Sequence, residues 1–464
     1  MAEARDLIVL GSGPGGYVAA IRAAQLGRKV TIIEREALGG VCLNWGCIPS
    51  KALLKSAQLY HDMHRAAEFG FETGSLKFDF SKIIGRSRDV AGKLSGGVAF
   101  LMKKNKVEVI YGNGTLKKGN IVSVTDAANK TTDYGFKDII IATGARPRLI
   151  PGVEADGKAI HVSRTILENK EHPKKLLVIG AGAIGMEFAY FFNSLGSDVT
   201  VVEMLDQILP VEDHEIAKSL ETIYTKKGMK IFTSTAVSNI QKTAQGASAT
   251  LKGPKGEETW TGDKILVAIG VEPNTENIGL ETVGIKAERG FITVDPFMKT
   301  NVPNHFAIGD CTGRQLLAHK ASHEGLVAAE AACGKAKHGM HYDNIAGCTY
   351  CQPQVASVGL TEKQAKEKGL KYKVGKMPFS AIGKAIAIGE AEGMCKVIID
   401  EDVGEVLGVH ILHSEATELI TEASIIRSHE GIAASVLDTV HPHPTLSESV
   451  AEAMAIALGR PINF

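Results

Sequence analysis

The chain has 464 residues, which is too long for one hydrophobic core, so roughly two to four domains are expected. Hydrophobic residues make up 44% of it and charged residues 22%, with 50 glycines, which is typical of an α/β protein rich in tight turns. Lysine plus arginine and aspartate plus glutamate number 52 each, so the net charge of zero excludes a general attraction to nucleic acid or to an anionic membrane.

Nothing in the sequence indicates membrane insertion. The first predicted strand begins near Asp6, which leaves too few residues ahead of it for a signal or transit peptide. No uninterrupted apolar run reaches the roughly 18 residues that a spanning helix needs. We therefore expect a cytoplasmic protein, although a mitochondrial matrix protein that had lost its presequence would look the same.

The first elements follow the order of a dinucleotide-binding fold. A strand at Asp6–Leu10 leads into the glycine-rich turn 11–16, which is followed by a helix and by a second strand ending at Glu34. In such folds the glycines let the backbone approach a pyrophosphate at the helix N-terminus, and a carboxylate after the second strand binds ribose hydroxyls. The residues assigned to these tasks are Gly11, Gly13, Gly16 and Glu34.

Two cysteines, Cys42 and Cys47, follow directly within the segment 39–51. A disulfide needs Cα atoms roughly 4.4–6.8 Å apart. The Cα atoms of residues five positions apart on a regular helix are farther apart than that, so the chain must turn irregularly here, which Gly46 permits. Pro49 suits the first turn of a helix, so Cys47 is expected beside a helix N-terminus that stabilises a thiolate. Two unreactive buried cysteines are the alternative, but the position after a dinucleotide fold favours a redox-active disulfide.

The same pattern then recurs. The strand Lys175–Ile179 leads into a second glycine-rich turn, 180–185, and a strand ending at Glu203, with the same spacing from first glycine to carboxylate as in the first fold. Two such folds imply two nucleotides, and two nucleotides beside a cysteine pair indicate electron transfer between them. Residues 204–217 contain no lysine or arginine, so Glu203 favours NAD over the phosphorylated NADP.

The remaining sequence predicts further structure on both sides of this repeat. A polar helix is expected around Asp89–Asn105, followed by hairpin-like strands, and a strand near residue 304 ends at Asp310, ahead of an alanine-rich helix that begins at Ala318. From about Asn344 the strands and helices interleave as in a separate α+β domain.

Near the C-terminus, His443 precedes Glu448 in the segment His-Pro-Thr-Leu-Ser-Glu. A histidine titrates near neutrality and can accept a thiol proton, and a carboxylate on its other ring nitrogen would orient it. The alternative is a proline-rich surface turn with solvated histidines, and this segment alone would favour it.

The other cysteines indicate neither catalysis nor metal binding. Cys348 and Cys351 form a pair without further ligands at metal-binding spacing, so structural thiols are favoured and no metal site is predicted. We assign Cys311, Cys333 and Cys395 to packing in the same way.

Together these motifs resemble the pyridine nucleotide-disulfide oxidoreductases over essentially the whole chain. The segments that carry the resemblance are Gly11–Gly16, Gly39–Lys51, Ala142–Gly144, Gly180–Gly185 with Glu187, Gly309–Asp310, Leu317–Ala321 and His443–Glu448. The fold implied is α/β, with two Rossmann-like dinucleotide-binding domains and a C-terminal α+β dimerisation domain. The boundaries we predict are 1–149 for the FAD-binding domain, 150–275 for the NAD-binding domain, 276–345 for a central segment completing the FAD domain, and 346–464 for the interface domain.

The resemblance also implies the task of individual residues. Cys47 would face the flavin and Cys42 the substrate, with His443 and Glu448 as base and orienter, while Trp45 departs from the smaller residue common in relatives. The FAD contacts implied are Gly11, Gly13, Gly16, Glu34, Lys51, Gly114, Thr143, Gly144, Asp310 and Ala318, with Lys51 paired to Glu187. The NAD contacts implied are Gly180, Gly182, Gly185, Glu187, Glu203, Val237 and Gly270.

The branch of the family that the chain resembles reoxidises lipoyl groups and passes the electrons through FAD to NAD. It implies a homodimer in which His443 reaches the disulfide of the other subunit. The partners implied are lipoyl domains of 2-oxo acid dehydrogenase acyltransferases or the glycine cleavage H protein. Two alternatives of different classes stay open. The first is another flavoenzyme, either a reductase of a different small disulfide or a general NADH:acceptor oxidoreductase. The second is a non-catalytic subunit of a larger complex. The choice of NAD argues against the NADP-dependent glutathione reductases.

Overall fold

The first described residues form a strand, which a helix and a second strand follow. The computed structural model describes residues 3–464. Its elements up to residue 148 are, in chain order, β1 (Glu3–Leu10), α1 (Pro14–Gln25), β2 (Val30–Glu34), α2 (Gly40–Trp45), α3 (Cys47–His64), a 3₁₀ turn (Ala66–Phe69), α4 (Phe80–Lys104), β3 (Glu108–Tyr111), β4 (Asn113–Lys117), β5 (Ile121–Thr125), β6 (Thr131–Ile141) and β7 (Ala145–Pro147).

The second dinucleotide fold and a three-stranded hairpin sheet come next. They consist of β8 (Ile160–Val162), α5 (Ser163–Ile166), β9 (Lys175–Ile179), α6 (Ala183–Ser194), β10 (Asp198–Val202), α7 (His214–Lys226), β11 (Lys230–Phe232), β12 (Ala236–Thr243), β13 (Gly246–Gly253), β14 (Gly256–Gly262) and β15 (Lys264–Val267).

The remaining elements complete the first sheet and build the C-terminal domain. They are β16 (Val271–Pro273), α8 (Leu280–Val283), β17 (Ala287–Glu288), β18 (Phe291–Ile292), β19 (His305–Ala307), a 3₁₀ turn (Gly309–Thr312), α9 (Ala318–Ala332), β20 (Gly347–Thr349), β21 (Gln354–Gly359), α10 (Glu362–Glu367), β22 (Tyr372–Pro378), a 3₁₀ turn (Phe379–Ala381), α11 (Gly383–Ala387), β23 (Met394–Asp400), β24 (Val406–His413), α12 (Ala416–Ser428), α13 (Ala433–Asp438) and α14 (Glu448–Ala457).

The described residues pack as two units, each assembled from separate stretches of chain. Unit 1 comprises the chain up to Ala52 with Ser81–Arg148 and Gly270–His341, and unit 2 comprises Leu53–Phe80, Leu149–Ile269 and Tyr342–Phe464. The four domain boundaries predicted from sequence remain predictions.

Unit 1 is organised around a sheet in the strand order β3-β2-β1-β6-β5-β4, with β19 also paired to β6. The long strand β6 pairs antiparallel with β5 in its first half and parallel with β1 and β19 in its second. Two glycines bring α1 and α9 together, because a Cβ on Gly325 would lie 2.5 Å from the Gly15 carbonyl oxygen. Residues Leu7, Ile8 and Val9 of β1 are fully buried, as expected for a parallel strand covered on both faces.

Unit 2 contains three sheets. The parallel sheet β11-β10-β9-β15-β8 is the second dinucleotide fold, and β12-β13-β14 is an antiparallel sheet inserted in it. The sheet β20-β21-β24-β23-β22 is antiparallel, and helix α14 packs on it with Val450, Ala453 and Met454 fully buried. The expected α+β character of the C-terminal region is confirmed.

Some boundaries differ from the sequence expectations. Strand β1 begins at Glu3 rather than near Asp6, since Glu3–Arg5 pair with residues 134–136 of β6, a long-range contact that local sequence cannot reveal. Helix α4 begins at Phe80, well before the expected start near Asp89, because Phe80 and Ile84 are buried on its inner face. Within the described residues no helix is both long and apolar enough to cross a membrane.

Candidate active site and nucleotide-binding turns

Cys42 and Cys47, both in unit 1, form a disulfide between two consecutive helices. Cys42 lies in α2 and Cys47 is the first residue of α3, and their Cα atoms are 4.7 Å apart. Gly46 separates the helices, and a Cβ at this position would lie 3.0 Å from the Val41 carbonyl oxygen and 3.2 Å from the Cys42 Cα. The expectations of an irregular turn at Gly46 and of Cys47 at a helix N-terminus are both confirmed.

Helix α4 and a side-chain amide hold this short helix in place. Asn44 donates from Nδ2 to the carbonyl oxygens of Leu38 and Gly40, each at 3.0 Å. Arg88 of α4 donates to the Asn44 carbonyl at 2.6 Å, and Ser95 donates to the Leu38 carbonyl at 2.8 Å. The backbone that carries Cys42 is therefore fixed from two sides. Trp45 is the last residue of α2 and is partly buried.

The first glycine-rich turn leaves room where a ligand would approach. Gly11 has φ +103°, and a Cβ on Gly16 would lie 2.0 Å from the Gly11 carbonyl oxygen, so both positions exclude a side chain. Gly13, which precedes α1, has no heavy atom within 4 Å of the place its Cβ would take. Open space over backbone at a helix N-terminus suits a pyrophosphate, which needs close backbone approach.

Glu34 is buried and held by backbone amides beside that turn. Its Oε2 accepts from the Ser12 amide at 2.9 Å and from the Ser12 hydroxyl at 2.6 Å, while Oε1 accepts from the Glu36 amide at 2.8 Å. The carboxylate thus has a fixed orientation before any ligand binds. One lone pair of Oε1 remains for a ribose hydroxyl.

The second turn, in unit 2, repeats this geometry. Gly180 has φ +100°, a Cβ on Gly185 would lie 1.9 Å from the Gly180 carbonyl oxygen, and Gly182 has open space. Glu203 accepts from the Ala181 amide at 2.8 Å and from the Leu205 amide at 2.9 Å. The two turns inferred from the repeated sequence pattern are therefore alike in glycine geometry and in carboxylate orientation.

Asp310 lies in a turn of unit 1 that a buried ion pair supports. Lys320 donates to the carbonyl oxygens of Gly309 at 3.1 Å and Gly313 at 3.3 Å, and pairs with Glu324 at 3.2 Å, with both side chains fully buried. Glu324 in turn accepts from the Gly309 amide at 2.7 Å. Burial raises the pKa of Asp310, and the nearby Lys320 ammonium opposes the rise.

The other predicted FAD contacts also lie in unit 1, and their role stays a prediction. Thr143 and Gly144 follow β6, Ala318 is the first residue of α9, and Lys51 lies in the second turn of α3. Gly114 is on β4, where a Cβ would lie 2.6 Å from Leu10 Cδ1, so a side chain there would displace the core under the first turn.

The remaining predicted NAD contacts are divided between the units. Glu187 of α6 accepts from the Tyr350 amide at 3.1 Å, and Val237 is in β12, both in unit 2. Gly270, with φ +98°, is the residue at which the chain re-enters unit 1. The predicted pairing of Lys51 with Glu187 stays a prediction.

His443 and Glu448 are in direct contact in unit 2. His443 Nδ1 lies 2.9 Å from Glu448 Oε1, and Glu448 Oε2 accepts from the Thr445 amide at 2.8 Å. Burial opposes ionisation of Glu448, but these two hydrogen bonds outweigh it and lower its pKa. The ionised carboxylate can only accept, so the His443 proton sits on Nδ1 and Nε2 is free to take another. His443 is 78% exposed, as a base that meets an external substrate must be.

The five other cysteines are reduced in this structure. Cys311 and Cys395 are fully buried, and burial raises the pKa of the first thiol to about 11 and of the second to about 12. Such thiols are unreactive, which agrees with a packing role. Among the described residues, no three histidine, cysteine, aspartate or glutamate side chains are placed to hold a metal ion.

Sequence reasoning missed the residues that position the predicted ones. Asn44 and Arg88 hold the disulfide helix, Lys320 supports the turn of Asp310, and the Thr445 and Tyr350 amides fix two carboxylates. Their side chains carry no motif of their own. Asn44, Lys320 and Thr445 lie inside segments that sequence analysis had singled out, but none of them was assigned a task there.

Comparison with known proteins agrees with this geometry. The model of the pyridine nucleotide-disulphide oxidoreductase family matches residues 5–325, and the model of its dimerisation domain matches residues 345–454. The chain is 50% identical to the dihydrolipoyl dehydrogenase of Zymomonas mobilis and 47% identical to that of Rhizobium etli, each over 100% of both chains. Its fold is similar to the crystal structure of LpdA from Mycobacterium tuberculosis, with a TM-score of 0.91, 28% identity and coverage of 97% of this chain and 99% of that one. The chain therefore belongs to the pyridine nucleotide-disulphide oxidoreductase family, within its dihydrolipoyl dehydrogenase branch.

Proposed function

We propose that this protein oxidises protein-bound dihydrolipoyl groups to lipoyl groups and passes the electrons to NAD⁺. The observation that carries the proposal is the Cys42–Cys47 disulfide at the N-terminus of α3. The enzyme is a disulfide oxidoreductase whose cofactors are FAD and NAD, and the open space at Gly13 and Gly182 fits a dinucleotide at each turn.

The cysteine pair would carry out the dithiol chemistry. A dihydrolipoyl thiolate attacks Cys42, the Cys42–Cys47 bond breaks, and Cys47 leaves as a thiolate. The second substrate thiolate then attacks the substrate sulfur of the mixed disulfide, which releases Cys42 and closes the lipoyl disulfide. The position of Cys47 at a helix N-terminus favours it as the leaving thiolate, since the helix dipole stabilises negative charge there.

His443 would remove the thiol proton. Its Nε2 accepts the proton of the attacking substrate thiol, and Glu448 stabilises the resulting imidazolium through Nδ1. When bound, FAD supplies the two-electron acceptor that reoxidises the dithiol and delivers hydride to NAD⁺. Glu34 and Glu203 would each hold an adenosine ribose through oxygens that backbone amides have already oriented.

One pair of variants tests the division of labour. Cys42→Ser should abolish oxidation of dihydrolipoamide while NADH-to-dye electron transfer partly survives, because the dye needs no disulfide. His443→Gln should slow flavin reduction by dihydrolipoamide by about 10²–10⁴-fold, the usual contribution of a general base, and should spare the NADH reaction. Lipoamide turnover by Cys42→Ser would refute the disulfide role, and equal losses in both reactions of His443→Gln would refute the base role.

The chain carries the dimerisation domain of its family and forms a homodimer. We extend the proposal to a shared site, in which His443 of one subunit serves the disulfide of the other. Hybrid dimers of one Cys42→Ser subunit with one His443→Gln subunit separate the two arrangements. If the site is shared, the intact disulfide of the His443→Gln subunit meets the intact histidine of the Cys42→Ser subunit, so one of the two sites works and about half of the wild-type activity is expected. An inactive hybrid would show that the two groups act within one subunit.

The partner and the location belong to the same proposal. Lipoyl domains of 2-oxo acid dehydrogenase acyltransferases, or the glycine cleavage H protein, would supply the substrate in the cytoplasm. Steady-state rates with these lipoyl proteins, and with glutathione disulfide and coenzyme A disulfide, distinguish a lipoyl enzyme from a reductase of small disulfides. A flavin-free purified protein without dithiol activity would instead indicate a non-catalytic subunit. Cell fractionation tests the location.

A further inference from the structure

Thr445 contacts Glu448 and the peptide group that precedes His443. Its amide donates to Glu448 Oε2 at 2.8 Å, and its hydroxyl donates to the Pro442 carbonyl oxygen at 2.8 Å. The same hydroxyl lies 3.0 Å from the Ser447 Oγ. One residue between the base and its orienter therefore binds the carboxylate on one side and the peptide that carries the histidine on the other.

These contacts restrict the two motions that would break the pair. The Pro442 carbonyl belongs to the peptide group that ends at the His443 nitrogen, so the hydroxyl bond fixes the plane from which the imidazole extends. The hydrogen bond from the Thr445 amide fixes Glu448 Oε2, which does not contact the imidazole, and so keeps Glu448 Oε1 directed at His443 Nδ1. Within one chain His443 is 78% exposed, so little packing from its own subunit holds its ring otherwise.

We propose that Thr445 is a positioning residue for the thiol-oxidising reaction. It does not touch the substrate sulfur. It keeps His443 Nε2 in the one orientation from which it can accept the thiol proton. This inference rests on the proposed base role of His443 and adds a residue to it.

The test is Thr445→Val, which keeps the shape and the amide but removes the hydroxyl. A neutral hydrogen bond of this kind corresponds to about a five- to tenfold change in rate, so flavin reduction by dihydrolipoamide should slow by about that factor. NADH-to-dye transfer should stay within about twofold of wild type by the same reasoning, because it needs no base. Thr445→Ser, which restores the hydroxyl, should recover most of the lost rate.

Thr439→Val is the matched control. Thr439 is an exposed threonine a short distance before Thr445 in the chain, and its hydroxyl donates to the Ser435 carbonyl oxygen at 2.9 Å. Its loss should leave both reactions unchanged. Equal slowing by the two valine variants, or equal slowing of the dye reaction in Thr445→Val, would assign Thr445 a purely structural role.

The outcomes separate this inference from the function on which it rests. If wild type fails to oxidise dihydrolipoamide, or His443→Gln matches wild type, the proposed function fails first. If His443→Gln loses activity while Thr445→Val matches wild type, only the positioning role is refuted. If Thr445→Val loses its flavin, Thr445→Ala can be used instead, because it removes the same hydroxyl and leaves a smaller side chain. A rate of dihydrolipoamide oxidation equal to wild type in Thr445→Ala would overturn the proposal.

Discussion

Replacing Lys396 with methionine should destabilise unit 2 strongly, although Lys396 is remote from the cysteine pair in sequence. Lys396 of β23 is 1% exposed, and its ammonium bonds to Asp213 at 2.9 Å, Glu215 at 2.6 Å and Glu362 at 2.7 Å. Asp213 is 2% exposed, whereas the other two carboxylates are 40% and 38% exposed and can turn toward water. The variant therefore leaves one buried and uncompensated charge, that of Asp213.

The size of the loss follows from that charge. Removing one partner of a buried ion pair costs about 3–5 kcal/mol. Asp213 keeps two backbone donors, the Glu215 amide at 3.1 Å and the Glu362 amide at 3.2 Å, so the lower end of that range, about 3 kcal/mol, is expected. Despite burial, the Lys396 hydrogen bond lowers the pKa of Asp213. This stabilisation is present above the ordinary aspartate pKa of 3.8 and is lost as the pH falls through the lowered value.

Denaturant unfolding at pH 7, followed by near-ultraviolet circular dichroism, measures the loss. Lys376→Met is the matched control, because Lys376 pairs with Lys396 across β22 and β23 and bonds the same Glu215 at 2.6 Å, but is 46% exposed. It should cost at most about 1 kcal/mol. Adding Asp213→Asn to Lys396→Met should recover stability. A loss with Lys396→Met as small as that of the control would refute the reasoning, since buried and exposed lysines would then be equivalent.

Other predictions concern a buried acid and the second glycine-rich turn. Burial and the neighbouring charge of Asp213 raise the pKa of Glu212, so the folded protein should lose stability as the pH rises from the ordinary value of 4.5 toward the raised one. Glu212→Gln should remove this decline in the same unfolding assay. A decline in the variant as large as that of wild type would contradict it. Gly182→Ala should leave the fold and the flavin spectrum intact but raise the KM for NAD⁺, because its Cβ enters the open space at the turn. Gly185→Ala should instead destabilise unit 2, because its Cβ would lie 1.9 Å from the Gly180 carbonyl oxygen. An unchanged KM in Gly182→Ala would show that no ligand passes over that glycine.

The features that sequence predicted are those encoded by short segments. The turn at Gly180 and the carboxylate of Glu203 lie within one strand-helix-strand unit, and their geometry follows from residue type and spacing. Cys42 and Cys47 are likewise close enough in sequence for their bridge to be judged from turn geometry alone. The segment of His443 and Glu448 alone favoured a solvated surface turn, and the family resemblance was needed to pair them; the structure places them in contact.

The features that sequence could not predict depend on contacts between distant segments. Lys396 is 183 residues from Asp213, and no local pattern distinguishes it from an exposed strand lysine such as Lys376. Strands β7 and β16 come from distant segments of the chain, and their pairing into a two-stranded ribbon appears only in the structure. Register across a sheet is set by packing, which a single sequence does not report.

The three carboxylates central to the proposed chemistry share one structural solution. Glu34, Glu203 and Glu448 each accept at least one backbone amide. A backbone donor in a folded turn is already ordered, so it fixes the carboxylate with little further loss of side-chain freedom. In Glu34 and Glu203 both oxygens are held this way, so a glutamine would direct its NH₂ group at one of the two amides. Main-chain geometry thus orients the carboxylates that would bind ribose and orient the base before any ligand binds. The specificity of these sites therefore depends on the conformation of the turns that supply the amides.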